Sequence, residues 1–329
     1  MAKKYLYELT VSSSPHVHSS TTTRTIMRDV LIALVPALVM SVLVFGLRAL
    51  TVTAVSVAAC YFFETLYSKL MKLHDKTYDL SACVTGVLLA FVCPVTIAYW
   101  QIIIGAAFAI LLVKMLFGGL GRNVVNPALA GRAFMMSWPV AMSTWISVTG
   151  AKAAIFNPVD VVTAATPLAN MHQGLMPEES WIQLFTGNIG GCIGETSAAA
   201  LLIGLVYLLA RKVIKITIPA AYIGTVAVLT VLFPMGNSNF QWMLFHLFGG
   251  GLMLGAIFMA TDYVTSPLTT KGQIIYGIGC GALTVMIRYF GGYNEGVSYA
   301  ILIMNTCVVL LDRIGRPVKF GAPRKEAAK

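Results

Sequence analysis

Between residues 29 and 311 the chain is a succession of apolar runs broken by short polar connections, and this pattern limits its fold more than any single motif does. A bilayer core takes about 20 apolar residues per helix, fewer where a helix is short or broken. Ten segments fit: 29–47, 50–68, 79–93, 96–116, 123–142, 192–210, 214–233, 241–260, 273–290 and 296–311. The third and fifth contain LSACVTGVLLAFVCP and NVVNPALAGRAFMMSWP and are short or interrupted by Gly and Pro. Such backbone is held at membrane depth only where protein or a cavity shelters it. Composition agrees, because 11% of residues are charged against about 25% in a soluble domain. The expectation is an all-α integral membrane protein of about ten transmembrane helices.

The net charge of +10 would raise nucleic-acid binding in a soluble protein. Here the placement of the basic residues accounts for it, and no nucleic acid is expected. With the N-terminus in the cytoplasm, 20 of the 23 Lys and Arg residues fall on the cytoplasmic side, Lys114, Arg122 and Arg132 among them. Arg48, Lys152 and Arg288 fall outside. Basic residues concentrate in cytoplasmic connections, so both termini are placed there. The expected layout is a leader over 1–28, a five-helix half over 29–142, an extracytoplasmic loop over 143–191, a second five-helix half over 192–311 and a basic tail over 312–329. The leader has no apolar run of the kind a signal peptide needs. A loop as long as 143–191 inside a compact protein is usually functional.

Segment four ends in MLFGGLGRNVVNPALAG and segment nine in IRYFGGYNEGVSYAILIMN. Each runs from an apolar helix through F-G-G and a Gly-containing turn into the last helix of a five-span half. Halves with an odd number of spans insert with opposite topology, the inverted-repeat plan of many transport proteins, whose broken helices meet near the midplane. The six cysteines lie apart without a C-x-x-C pair, so they offer no zinc or iron–sulfur framework and read as small buried hydrophobes.

The long loop contains DVVTAATPLAN, residues 160–170. Thr166 followed by Pro167 is what a helix start looks like, with Thr at the N-cap and Pro at the first helical position. The spacing D-x-x-(S/T)-x-A-T, here Asp160, Thr163, Ala165 and Thr166, also resembles the acceptor motif for covalent flavin attachment in the Rnf and Na+-pumping NADH:quinone reductase complexes. Further stretches are similar to the D component of the Rnf complex, which is homologous to the B component of the quinone reductase. They include DLSACVTGVLLA, FGGLGRNVVNPALAGRAF, GCIGETSAAALLIGLVYLL, HLFGGGLMLGAIFMATDYVTSP and GIGCGALTVMIRYFGGYNEGVSYAILIMN. One departure is Ala164, where that family often has Gly. The resemblance implies a phosphoester between FMN and Thr166, made by an extracytoplasmic flavin transferase. It implies other membrane and peripheral Rnf subunits as partners and Na+ or H+ as the moved ion. It leaves a second, noncovalent flavin such as riboflavin open. A phosphate on Thr166 would face free N–H groups and the positive end of the following helix.

Acids in or beside a membrane segment default to functional candidates. Asp79 and Asp262 stand at corresponding ends of segments three and eight, as ion-path candidates or as helix caps. Glu195 opens segment six, where it lines the flavin region, belongs to the ion path or caps the helix. His16 and His18 lack a third ligand nearby, so no metal is expected, and Arg132 is expected to bind carbonyls or snorkel rather than touch substrate. No Rossmann fingerprint, P-loop or nucleophile–base pair is present, so no catalytic residue is assigned and the chain is not catalytically complete alone. Two functions remain: a flavoprotein subunit of an ion-translocating ferredoxin:NAD+ oxidoreductase, or a stand-alone channel or carrier for a small solute or ion.

Overall fold

The computed structural model describes residues 21–72, 79–138, 142, 145, 166–172, 174, 176–177, 180–187, 189–235, 238–293 and 295–314. Among them the regular structure is helical, with one isolated bridge pairing Pro94 with Cys192. Helix α1 (Thr23–Phe45) turns at Gly46 directly into α2 (Leu47–Leu70). Then follow α3 (Ser81–Phe91), α4 (Tyr99–Ala107, running on as a π-helical stretch Phe108–Met115) and α5 (Pro127–Met135). Two short helices, α6 (Pro167–His172) and α7 (Trp181–Thr186), precede α8 (Ala198–Ala210) and α9 (Thr217–Leu232). Helix α10 (Asn239–Phe248) breaks at Gly249–Gly251 and resumes as α11 (Leu252–Leu254), which widens into a π-helical turn over Gly255–Met259. Helices α12 (Thr270–Phe290) and α13 (Val297–Leu311) complete the described bundle.

Each of the ten predicted segments is occupied by helix. Three helices, α1, α2 and α12, are long and apolar enough to cross a bilayer singly, and the pair α10–α11, bent by 61°, is long and apolar enough only when taken together, as a broken span or a re-entrant loop. The remaining apolar helices are shorter. The outer surface explains the solvent these helices prefer. Helix α1 buries Asp29, Ala33, Leu34, Ala37, Ser41 and Phe45 and exposes Ile32, Val35, Val39 and Leu43. A row of large apolar side chains on the outer face, opposite mostly small or polar ones, is the reverse of a soluble helix, where the apolar stripe faces the core. Small residues let backbones approach, as they do between helices in lipid. A methyl on Gly277 would stand 2.6 Å from Ala221 Cβ and one on Gly281 2.7 Å from Thr225 Cβ, which sets the close contact of α12 with α9.

Broken helices expose backbone groups that need partners, and two buried arginines supply them. Arg48, at the start of α2, donates from Nε to Val95 O (2.7 Å) and from Nη2 to Ile97 O (2.9 Å) in the connection after α3. Arg288, near the end of α12, donates from Nη1 to His246 O (2.6 Å), from Nη2 to Gly249 O (3.1 Å) and from Nε to Glu295 O (3.0 Å). These two cations staple the breaks rather than sit as solvated surface charges. The tips of two broken segments also meet. Asn305 of α13, oriented to satisfy its neighbours, donates to Thr265 O (3.1 Å) and accepts from Asn126 N (3.1 Å).

Candidate functional site

Thr166 stands immediately before α6, and its carbonyl accepts from Ala169 N at 2.8 Å while Pro167 fills the first helical position. The helix start is legible in the sequence; its length is not. Helix α6 has 6 residues, too short for its dipole alone to hold a phosphate. What fixes Thr166 is docking: Pro167, Leu168 and Met171 are buried. A methyl on Gly249 would meet Leu168 Cδ1 at 2.5 Å, and His172 Nδ1 lies 2.8 Å from Arg288 O. Asp160, Thr163 and Ala165 lie outside the described residues, as do His16 and His18.

Thr166 lines a cavity of about 470 Å³ together with Arg132, Trp145, Tyr293, Glu295, Ser298 and Tyr299. That volume falls within the range of about 300–1,000 Å³ typical of ligand pockets. The Tyr293 and Tyr299 rings lie 4.9 Å apart and are tilted by 36°. Arg132 comes from α5, whose start is fixed by the Asn126 side chain accepting from Ala128 N (3.0 Å) and Leu129 N (3.4 Å). The guanidinium donates to Ser298 Oγ at 2.7 Å and pairs with the Glu295 carboxylate. This corrects two expectations. Arg132 binds side chains rather than carbonyls, and it stands at the Thr166 end with Arg288, not at the Lys114 end. Helix α5 starts deep in the bundle, where Asn126 Nδ2 reaches Met259 O (3.4 Å), so its first turn is already well inside when Arg132 appears.

Glu195 is neither a cap nor a wall of this cavity. It is buried in a 3₁₀ turn (Ile193–Glu195), and α8 is capped instead by Ser197, whose hydroxyl accepts from Ala200 N at 3.2 Å. One carboxylate oxygen of Glu195, one of Glu295 and the Cys192 sulfur lie within 4.8 Å of one another.

The opposite end holds a second buried cluster, which the sequence reading missed. Lys114, in the π-helical stretch of α4, lies 3.0 and 2.9 Å from the two Glu64 oxygens and donates to Ser81 Oγ at 2.6 Å. A Glu in segment two and a Lys in segment four were the available signal, since charges inside apolar runs are costly and rarely idle. Asp79 and Asp262 both belong to this end. Asp79 Oδ1 accepts from Ser81 N (2.8 Å) and Ser81 Oγ (2.6 Å) although Leu80, in the left-handed conformation, is the N-cap residue of α3. Asp262 Oδ2 accepts from Thr265 Oγ1 at 3.0 Å. Ser81, Lys114, Asn126 and Asp262 line one cavity of about 80 Å³, room for a few waters at about 10–15 Å³ each.

The profile of the NQR2, RnfD, RnfE family matches residues 10–321. The chain is 47% identical over 328 residues to the D component of the Na(+)-translocating ferredoxin:NAD(+) oxidoreductase complex of Acetobacterium woodii, covering 98% of each chain. It is 42% identical to the D component of the proton-translocating ferredoxin:NAD(+) oxidoreductase complex of Clostridium ljungdahlii, covering 96% of this chain and 97% of that one. It is 32% identical to the D component of the ion-translocating oxidoreductase complex of Aeromonas salmonicida, covering 96% and 99%. With helical membrane architecture and end-to-end similarity in agreement, the chain belongs to the NQR2, RnfD, RnfE family, on its RnfD branch.

Proposed function

We propose that this chain is the flavin-bearing membrane subunit of an ion-translocating ferredoxin:NAD+ oxidoreductase, with FMN esterified to Thr166. The observation that carries the reading is the placement of Thr166 on a ligand-sized cavity with a cation and two tyrosines around it. The residues present fit the group: Arg132 offers a guanidinium for an anionic ligand, and Tyr293, Tyr299 and Trp145 offer aromatic surface to a flat ring system. FMN, when bound, would take up and release electrons for partner subunits that hold the ferredoxin and NAD+ sites. A flavin transferase would attach it, and a second flavin such as riboflavin stays open. The relatives named as sodium and proton translocators are close to each other in identity to this chain, so similarity does not choose the ion.

In this reading the bundle has ten spans in two inverted halves of five, both termini cytoplasmic, and the 143–191 loop with Thr166 on the outer side. Placing Arg132 at the Thr166 end leaves 19 of 23 basic residues on the cytoplasmic side, which still supports that orientation. Asp79 and Asp262 at the inner end and Glu195 near the outer end would contribute to the ion route.

Thr166→Ala removes the proposed attachment atom, and the loss of a cap costs only about 1 kcal/mol, too little to unfold the bundle. The wild-type band on a denaturing gel is expected to fluoresce as a flavin and the Thr166→Ala band to be dark. A fluorescent mutant band moves the attachment elsewhere, and a dark wild-type band favours the stand-alone carrier.

A further inference from the structure

The start of α1 and the end of α8 gather positive charge on one outer surface of the bundle. Asp29 of α1 is buried and accepts from Arg211 Nε (3.2 Å) and from the Tyr207 hydroxyl (3.3 Å) at the end of α8. One turn further in the two helices touch, since a methyl on Gly204 would stand 2.5 Å from Ala33 O. These contacts bring Arg24 and Arg28 on α1 to the same edge as Arg211, Lys212 and Lys215, all of them exposed. Asp29 is the only acid in α1, in α8 or in the connection from α8 to α9, and Arg211 occupies it. Arg24, Arg28, Lys212 and Lys215 have no ion pair among the described residues. The basic edge continues into apolar surface. Arg24 and Arg28 head one stripe of α1 that runs on at helical spacing through Ile32, Val35, Val39 and Leu43, each at least 44% exposed. Ile203 and Val206 are exposed on α8 in the turns before Arg211.

We propose that this surface binds one anionic phospholipid, its phosphate among Arg28, Lys212 and Lys215 and its acyl chains along the exposed stripes of α1 and α8. The order of the residues points to a lipid and not to a soluble anion: cations stand where an exposed apolar row ends, as a headgroup stands at the end of its chains. Basic residues gathered between membrane helices at headgroup level recruit anionic lipid. The preference of basic residues for cytoplasmic connections accounts for their side of the membrane. It does not account for four unpaired cations collected on one helix pair, which repel one another until an anion joins them. Asp29 is the clamp of this arrangement. By holding Arg211 and Tyr207 it fixes the two basic groups side by side and leaves the other four cations for the headgroup. The leaflet that supplies the lipid rests on the orientation proposed above; the site itself does not.

The test uses the purified full chain in a neutral detergent. Dioleoyl phosphatidylglycerol or dioleoyl phosphatidylcholine is titrated in, and the lipids retained per chain are counted by native mass spectrometry. One phosphatidylglycerol is expected to stay bound under conditions that strip phosphatidylcholine. Arg28→Gln/Lys212→Gln is expected to weaken that binding about 25-fold, from about fivefold for each cation at an anionic headgroup. Arg28→Lys/Lys212→Arg keeps both charges and is expected to keep the lipid. Both double variants are expected to melt with the wild type in lipid-free detergent, so a folding defect is distinguishable from a lost site. Lys69→Gln/Arg313→Gln removes as much charge from exposed positions outside the α1–α8 pair and is expected to leave binding unchanged. An equal loss in that control overturns the proposal, because net charge alone would then attract the lipid. Equal retention of phosphatidylcholine overturns it too and leaves the face to a partner subunit. So does displacement of phosphatidylglycerol by inorganic phosphate at a similar concentration, which would make this a bare anion site.

Discussion

The two ends of this bundle solve the same problem unequally. At the Lys114 end the buried polar groups of the cluster are hydrogen-bonded: Lys114 holds both oxygens of Glu64 and Ser81 Oγ, while Asp79 and Asp262 accept from the turns they close. At the Thr166 end Arg132 satisfies Glu295, and Glu195 keeps an oxygen without a partner among the described residues. A closed set of hydrogen bonds makes a rigid joint, whereas an open one leaves a buried polar atom uncompensated. The cavities differ in the same sense, about 80 Å³ at the Lys114 end against about 470 Å³ at the Thr166 end, where a ligand the size of a flavin fits.

The harshest test of this contrast is Lys114→Met. It leaves the Glu64 carboxylate buried with its main partner gone, and breaking a buried pair in this way costs about 3–5 kcal/mol. Thermal unfolding of the purified chain should show that loss, and the double variant Lys114→Met/Glu64→Gln should recover most of it. If the double variant is no more stable than the single, the pair is not the joint described here.

Arg132→Gln is the matching change at the other end and should do less damage. The Glu295 side chain is 16% exposed against 4% for Glu64, so water takes over part of the lost interaction, and about 2 kcal/mol is expected, below the range for fully buried pairs. The same unfolding experiment measures it. A loss as large as that of Lys114→Met would erase the distinction between a closed end and an open one.

How much of this is legible in the sequence depends on the kind of residue. Apolar length announces the helices, and Pro167 announces the start of α6, because both signals are local. The sequence places Arg132 at the wrong end because its position depends on how deep α5 begins, which Asn126 settles through Met259 O and Asn305, residues more than a hundred positions away. Glu195 reads as a cap because an acid precedes a helix, yet Ser197, two residues later, is the better-placed oxygen. The Glu64–Lys114 pair spans two helices, and nothing in either segment names its partner. Long-range charge pairing is the part the chain keeps to itself until folded, although its cost inside apolar runs is readable beforehand.

The smallest expected effect on stability concerns Asp79 and Asp262, and it separates capping from transport. Both carboxylates close turns at the Lys114 end, Asp79 through Ser81 N and Oγ and Asp262 through Thr265 Oγ1. Asn keeps the size and an acceptor oxygen, and Asn and Asp cap about equally well. Asp79→Asn and Asp262→Asn should therefore shift unfolding by no more than about 0.5 kcal/mol, the usual range for changes that break no buried network. Charge is the property each variant loses, and hard cations prefer charged oxygen. If these acids belong to the ion route, uptake of Na+ or H+ into vesicles bearing the assembled complex should fall in each variant while flavin stays on Thr166 and electron transfer proceeds. Unchanged coupling in both would reduce them to caps and leave the Lys114 end purely structural.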